Sequence, residues 1–131
     1  MIDTSISVMP RSFTSPNGFG VLVGKDRYEN DELTFRIGKF HDFWFHAAGF
    51  AGSHVILQCT SDTNTPTNED LQFAADLAAV FSKARNEKVA MVHVCRVGDV
   101  ERQAPNKPGA VTCHSAFVMT SHPRLRGPVM G

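Results

Sequence analysis

Residues 24–56, GKDRYENDELTFRIGKFHDFWFHAAGFAGSHVI, constrain the fold more than any other part of this 131-residue chain. They place Lys25, Arg27, Asn30, Arg36, Trp44 (the only tryptophan), His46, Ser53 and His54 in one stretch that otherwise reads as sheet. A polar side chain inside an apolar strand pattern is unfavourable unless it is hydrogen-bonded. The chain must therefore fold so that these groups meet either one another or a ligand.

Around that stretch the text alternates between strand and turn signals. Residues 1–17, rich in Ser, Thr and Pro, read as a loose lead-in or an edge strand, and residues 18–24 (GFGVLVG) as a short strand between glycines. KDRYEND reads as a turn, and Leu33-Thr34-Phe35-Arg36-Ile37 as a half-buried strand. Strands are expected over 42–47 and 54–59, with a glycine-punctuated bend at 49–53 between them. After the polar loop TSDTNTPT (60–67), a helix is predicted from 68 to about 85, capped by Thr67 or Asn68 with Glu69 and Asp70 in its first turn. Leu71, Ala74, Ala78 and Phe81 form its apolar stripe, and Lys83 and Arg85 sit at the negative end of its dipole.

KVAMVHVCRV (88–97) is the clearest strand, though its alternation leaves two inward faces open: Val89, Met91, His93 and Cys95, or Val92, Val94 and Arg96. Pro105, Pro108 and Gly109 mark a turn, and 110–120 reads as a strand pair or one long strand. The expected fold is α+β, a mostly antiparallel sheet with one long helix packed on one face. Its boundaries fall at 1–17 for the lead-in, 18–123 for the domain and 124–131 for a flexible tail.

At 131 residues the chain has the length of a single domain with one real core. Its 42% apolar and 20% charged residues argue against disorder. The formal net charge is zero, which predicts no strong sequence-blind attraction to phosphate. Residues 1–78 nonetheless carry 5 basic and 10 acidic side chains, whereas 79–131 carry 8 and 3. A basic face is therefore compatible with the neutral total, as is an ordinary solvated surface. Cys59, Cys95 and Cys113 form no CxxC pair, and an odd number without a secretion signal is expected to stay reduced, in the cytoplasm. No run approaches the ~20 apolar residues of a membrane helix, so no membrane partner is expected.

Catalytic chemistry has little support. His41, His46 and His54 with Asp42 contain metal-ligand residue types, but no HxH or HExxH spacing occurs, and no metal or other cofactor is expected. Ser53 and His54 are adjacent, so on a strand they face opposite ways, and no GxSxG elbow is present. No phosphate-loop glycine motif exists. What remains combines cations with amide and aromatic groups: Lys25, Arg27, Asn30, Arg36, Trp44, His46, Lys83, Arg85 and Asn86. Such a set reaches phosphates and stacks on bases. Its structural alternative places Trp44 in the core and Arg36 at a strand edge.

Four short words occur in order. They are Gly24-Lys25-Asp26 with Asn30, Asp42-Phe43-Trp44-Phe45-His46, Gly52-Ser53-His54-Val55, and Ala74-Ala75 through Ser82-Lys83-Ala84-Arg85. With the strand at 89–97 and Pro108-Gly109 before a last strand, they resemble the NFACT-R domain over about residues 18–123. The chain departs from the pattern at Ala51, where the family usually has proline, and at Glu101-Arg102, where a lysine-rich pair is usual. The resemblance implies a non-catalytic, RNA-preferring nucleic-acid-binding module, like that of proteins acting with ribosome and tRNA in nascent-chain quality control. The implied partners are tRNA or ribosomal RNA, with DNA and ribosome or RNA-modification proteins as further candidates. In this reading Lys25, Arg27, Lys83, Arg85, Arg96 and Lys107 meet phosphates. Asn30, Arg36, His46, His54 and Asn86 complete the candidate site by touching the ligand or fixing the scaffold. Two other readings stand beside it: a small metal- or nucleotide-dependent enzyme using His46, His54 and Asp42, and a protein–protein adaptor in RNA modification or ribosome rescue.

Overall fold

Six strands form one antiparallel sheet, and helices and a small ribbon cover both of its faces. The computed structural model describes residues 9–59 and 65–125. Residues 1–8 of the expected lead-in, 60–64 of the polar loop and 126–131 of the expected tail lie outside the described residues. The strands are β1 (Arg11–Thr14), β2 (Gly20–Val23), β3 (Phe43–Ala47), β4 (Val55–Leu57), β5 (Ala90–Arg96), β6 (Val100–Arg102), β7 (Val111–Cys113) and β8 (Phe117–Ser121). The main sheet runs β1-β2-β4-β3-β5-β8 with every pairing antiparallel, and β6 and β7 pair as a separate ribbon. Arg11–Thr14 lies at one edge of the sheet. Among the described residues, no helix is long and apolar enough to cross a membrane.

Strand alternation divides the apolar residues between two cores. Val21, Val23, Phe45, Val55, Leu57, Val92 and Val94 face α2 (Asn68–Val80), whose Ala74, Ala75, Ala78 and Ala79 let it dock closely. Leu22, Trp44, Ile56 and Cys95 point the other way and pack under Leu33, Phe35 and Ile37 and under Val100, Val111 and Cys113 of the ribbon. The ambiguity in 88–97 is thereby resolved: Ala90, Val92 and Val94 face the helix, Met91 and His93 are exposed, and Cys95 is buried beneath the ribbon.

The sequence reading is corrected in two places. KDRYEND and LTFRI are neither turn nor strand. They form α1 (Arg27–Glu32) running into a π-helical segment, Leu33–Ile37. Asp26 starts this helix by accepting hydrogen bonds from the N–H groups of Tyr28 and Glu29, both at 2.9 Å. Leu33 and Ile37 are four residues apart, so an alternation that suits a strand also places them on one helical face. The second correction concerns the long helix, which has 13 residues and stops at Val80 instead of reaching Arg85. Phe81 leaves helical geometry at φ −93°, ψ 41°, and its carbonyl accepts from Ser53 N–H at 3.0 Å. Lys83 N–H donates to the Ala51 carbonyl at 2.9 Å, so the chain quits the helix to pair with 51–53. The 110–120 segment is two strands, which pair with different partners: β7 with β6 and β8 with β5.

Asp70 ties the first hairpin to α2. Its carboxylate accepts from the Thr67 N–H at 2.8 Å, the Ser15 hydroxyl at 2.7 Å and the Asn17 backbone and side-chain N–H groups at 2.9 and 3.1 Å. Burial alone would raise the Asp70 pKa, but these donors outweigh it and hold the group well below the usual carboxylate range. Its stabilising contribution is therefore complete above the unfolded value of about 3.9 and is lost as pH falls through the depressed folded value. Asp70→Ala leaves several donors unpaired and removes a helix cap. Urea denaturation at pH 7 is expected to show a loss of about 2–4 kcal/mol. Below pH 4 the variant's stability should fall less steeply than that of the parent.

Candidate functional site

Three short segments meet beside the N-terminus of α1, held together by close backbone approach. Asn30 Nδ2 donates to the Gly52 carbonyl at 3.2 Å, and Asn30 Oδ1 accepts from the His54 N–H at 3.0 Å. Gly24 N–H donates to the His54 carbonyl at 3.1 Å, and the Ser53 hydroxyl donates to the Gly24 carbonyl. No side chain fits at two of these positions. A Cβ on Gly24 would lie 2.1 Å from Asn30 Oδ1, and one on Gly52 would lie 2.8 Å from Ser82 Cα. Sequence order separates these residues widely, and the hydrogen bonds bring them into one wall.

That wall backs a cleft of about 650 Å³ into which cations from three segments converge. Arg11 comes from β1, Lys25 and Arg27 from the entry of α1, and Lys83 and Arg85 from the turn after α2. All five side chains are exposed. The acid beside them, Asp26, is committed to capping α1. Lys25 Nζ lies 3.5 Å from Glu29 Oε2, and the Arg11 guanidinium sits 4.9 Å from the centre of the Phe81 ring. Cations of one sign gathered on a concave surface raise the local potential that attracts phosphate or another polyanion.

The expected site residues divide accordingly. Lys25, Arg27, Asn30, Lys83 and Arg85 line the cleft, although Asn30 is buried and serves as its framework. Asn86 is exposed next to Arg85 but outside the lining. Arg36 pairs with Glu32 on the helical segment. Arg96 stacks 3.8 Å above the Phe43 ring and donates to the His41 carbonyl at 2.5 Å, and Lys107 lies in the loop between β6 and β7. None of these last three shares the cleft. Arg11 escaped the sequence reading because it falls in a segment with lead-in composition.

His46 and His54 lie on the opposite sheet face from α2, beside Trp44. The His54 ring is 5.1 Å from Trp44 and 5.6 Å from His46, both edge-on, and Trp44 and His46 stack at 5.9 Å. His54 is 2% exposed, and its Nδ1 shares a 2.7 Å hydrogen bond with the Thr34 hydroxyl. Burial, reinforced by His46 nearby, pushes its pKa from 6.5 down to about 3, and burial followed by His93 lowers that of His46. Asp42, the third residue of the enzyme reading, accepts from the backbone N–H groups of Lys39 and Cys59 at 2.9 and 2.8 Å. Among the described residues, no three His, Cys, Asp or Glu side chains are placed to hold a metal ion. At the ribbon, Arg102 forms a two-pronged pair with Asp31 at 2.8 and 3.1 Å, which holds the Asp31 pKa down and fastens β6 to α1.

Comparison with known proteins converges on one family. The family model described as NFACT protein RNA binding domain matches residues 9–115. The Rqc2 homolog RqcH of Streptococcus suis is 41% identical over 92 residues, covering 70% of this chain and 16% of the relative. RqcH of Bacillus subtilis is 33% identical over 110 residues, covering 82% of this chain and 19% of the relative. The chain thus spans less than a fifth of the length of these relatives. A solved structure, the C-terminal part of the fibronectin/fibrinogen-binding protein from Streptococcus suis, superposes with a TM-score of 0.80. Its identity is 34%, over 90% of this chain and 47% of that one.

Because His54 is held neutral, the folded state binds fewer protons than the unfolded chain between pH 3 and 6.5. Its contribution to stability is complete above 6.5 and is lost as pH falls toward 3. Urea midpoints measured from pH 7 to 4 are expected to decline, and His54→Gln should flatten that decline while preserving a partner for Thr34.

Proposed function

This chain belongs to the NFACT protein RNA binding domain family, and on that premise we propose that it binds RNA non-catalytically through the cleft of Arg11, Lys25, Arg27, Lys83 and Arg85. The observation that carries the reading is the convergence of five exposed cations from three separate segments on one concave surface. A polynucleotide neutralises such a surface and releases its own counterions, which gives affinity that falls with salt. Structured RNA, tRNA or ribosomal, is the proposed partner, consistent with relatives named as Rqc2 homologs. The enzyme alternative is not favoured, since His54 and Asp42 are committed to internal hydrogen bonds.

Titration against tRNA, a ribosomal RNA fragment and single-stranded DNA at several salt concentrations tests the reading. The expected result is tighter binding to RNA, with log affinity falling linearly with log salt. Replacing Lys83 and Arg85 together with Ala should reduce that slope by about one to two units, whereas Arg36→Ala should leave it unchanged. Millimolar or salt-independent binding to all three nucleic acids would overturn the proposal.

A further inference from the structure

A second cleft lies on the other side of the strand entry that walls the first. It has a volume of about 470 Å³, within the usual range of small-molecule sites, and it opens between the outer face of the sheet and the β6–β7 ribbon. Trp44, His46 and His93 line it from the sheet, and Gln103 and Thr112 line it from the ribbon. Trp44 is 2% exposed, and its indole N–H has no hydrogen-bond acceptor among the described residues. His46 and His93 face each other across β3 and β5, adding imidazole rings to the same wall. The Gln103 amide donates to the Val111 carbonyl at 3.0 Å, and its oxygen accepts from no group among the described residues. His54 also borders the cleft, but its Thr34 hydrogen bond makes it wall instead of ligand partner.

We propose that this cleft receives an unpaired base of the same RNA strand whose phosphates lie in the cationic cleft. The inference rests on the RNA-binding reading above. A nucleobase offers what the lining lacks: a planar face for the imidazoles and an edge N–H donor for the Gln103 side-chain oxygen. The two clefts are next-door neighbours. Ser53 lines the cationic one and the following residue, His54, lines the other. Arg27 of the first is in contact range of Gly109 of the second, since a Cβ on Gly109 would lie 3.1 Å from the Arg27 carbonyl oxygen. A strand crossing this one-residue wall places phosphate on one side and base on the other.

The single tryptophan makes the test direct. The intact chain is titrated with a single-stranded RNA 12-mer, an abasic ribose-phosphate 12-mer of equal charge, and a mononucleotide, while Trp44 emission is followed. The RNA is expected to change the emission and to bind about tenfold or more tightly than the abasic strand. His93→Ala with Gln103→Ala, both at exposed positions, should bring RNA down to the abasic level. Lys83→Ala with Arg85→Ala should weaken both strands alike and keep their ratio. Equal affinity for RNA and abasic strand with unchanged emission overturns the base cleft and leaves the RNA-binding reading standing. A mononucleotide as tight as the 12-mer also overturns it, by making the cleft a free-nucleotide site. Failure of both strands to bind at low salt while tRNA binds overturns this inference alone, and failure of tRNA as well removes the RNA-binding reading with it.

Discussion

The side chain of Asn30 holds together the parts of this structure on which everything else depends. Its amide bridges the Gly52 carbonyl and the His54 N–H, while the backbone of Gly24 passes so close that only glycine fits. That single buried group fixes the start of α1 against the start of β4. The turn after α2 is drawn in by the bridge between Gly52 and Ser82. Without it, Lys25 and Arg27 would have no defined position relative to Lys83 and Arg85. The cationic cleft is a consequence of this join, since like charges gather only where backbone geometry compels them.

The same join explains why the polar residues of 24–56 are tolerated. Asn30, Ser53 and His54 are buried, and each is hydrogen-bonded within the fold. Trp44 is the exception, a buried donor without an acceptor among the described residues, and it sits where the sheet meets the ribbon. Both faces of the sheet are covered, by α2 on one side and by the 27–37 helical segment and the β6–β7 ribbon on the other. Hence Trp44 lies in the core even though Phe43 and Phe45 occupy the opposite face.

Legibility in the sequence followed the range of the interactions involved. β5 was readable because period-two alternation is local, β3 and β4 because aromatic and branched apolar runs suit a strand, and the N-terminus of α2 because Thr67 and Asp70 signal a cap within four residues. Leu33–Ile37 was misread because five residues satisfy both periods, and only packing over Trp44 and Ile56 decides between them. The early end of α2 was invisible for a related reason. Phe81 and Lys83 leave the helix to bond with Ser53 and Ala51, partners about thirty residues away.

The site shows the same division. Residue types alone identified Lys25, Arg27, Lys83 and Arg85 as cations suited to phosphate, and the order of short words identified the family. Composition also suggested a basic face within residues 79–131, but the cleft instead draws Arg11, Lys25 and Arg27 from the acidic half. Arg96 and Lys107 from the basic half lie elsewhere. The sequence by itself determined the chemistry carried by each residue and the strands that local alternation can specify. Which charges become neighbours was decided only by tertiary structure, because antiparallel pairing and the Asn30 bridge join segments whose separation along the chain carries no trace of their contact.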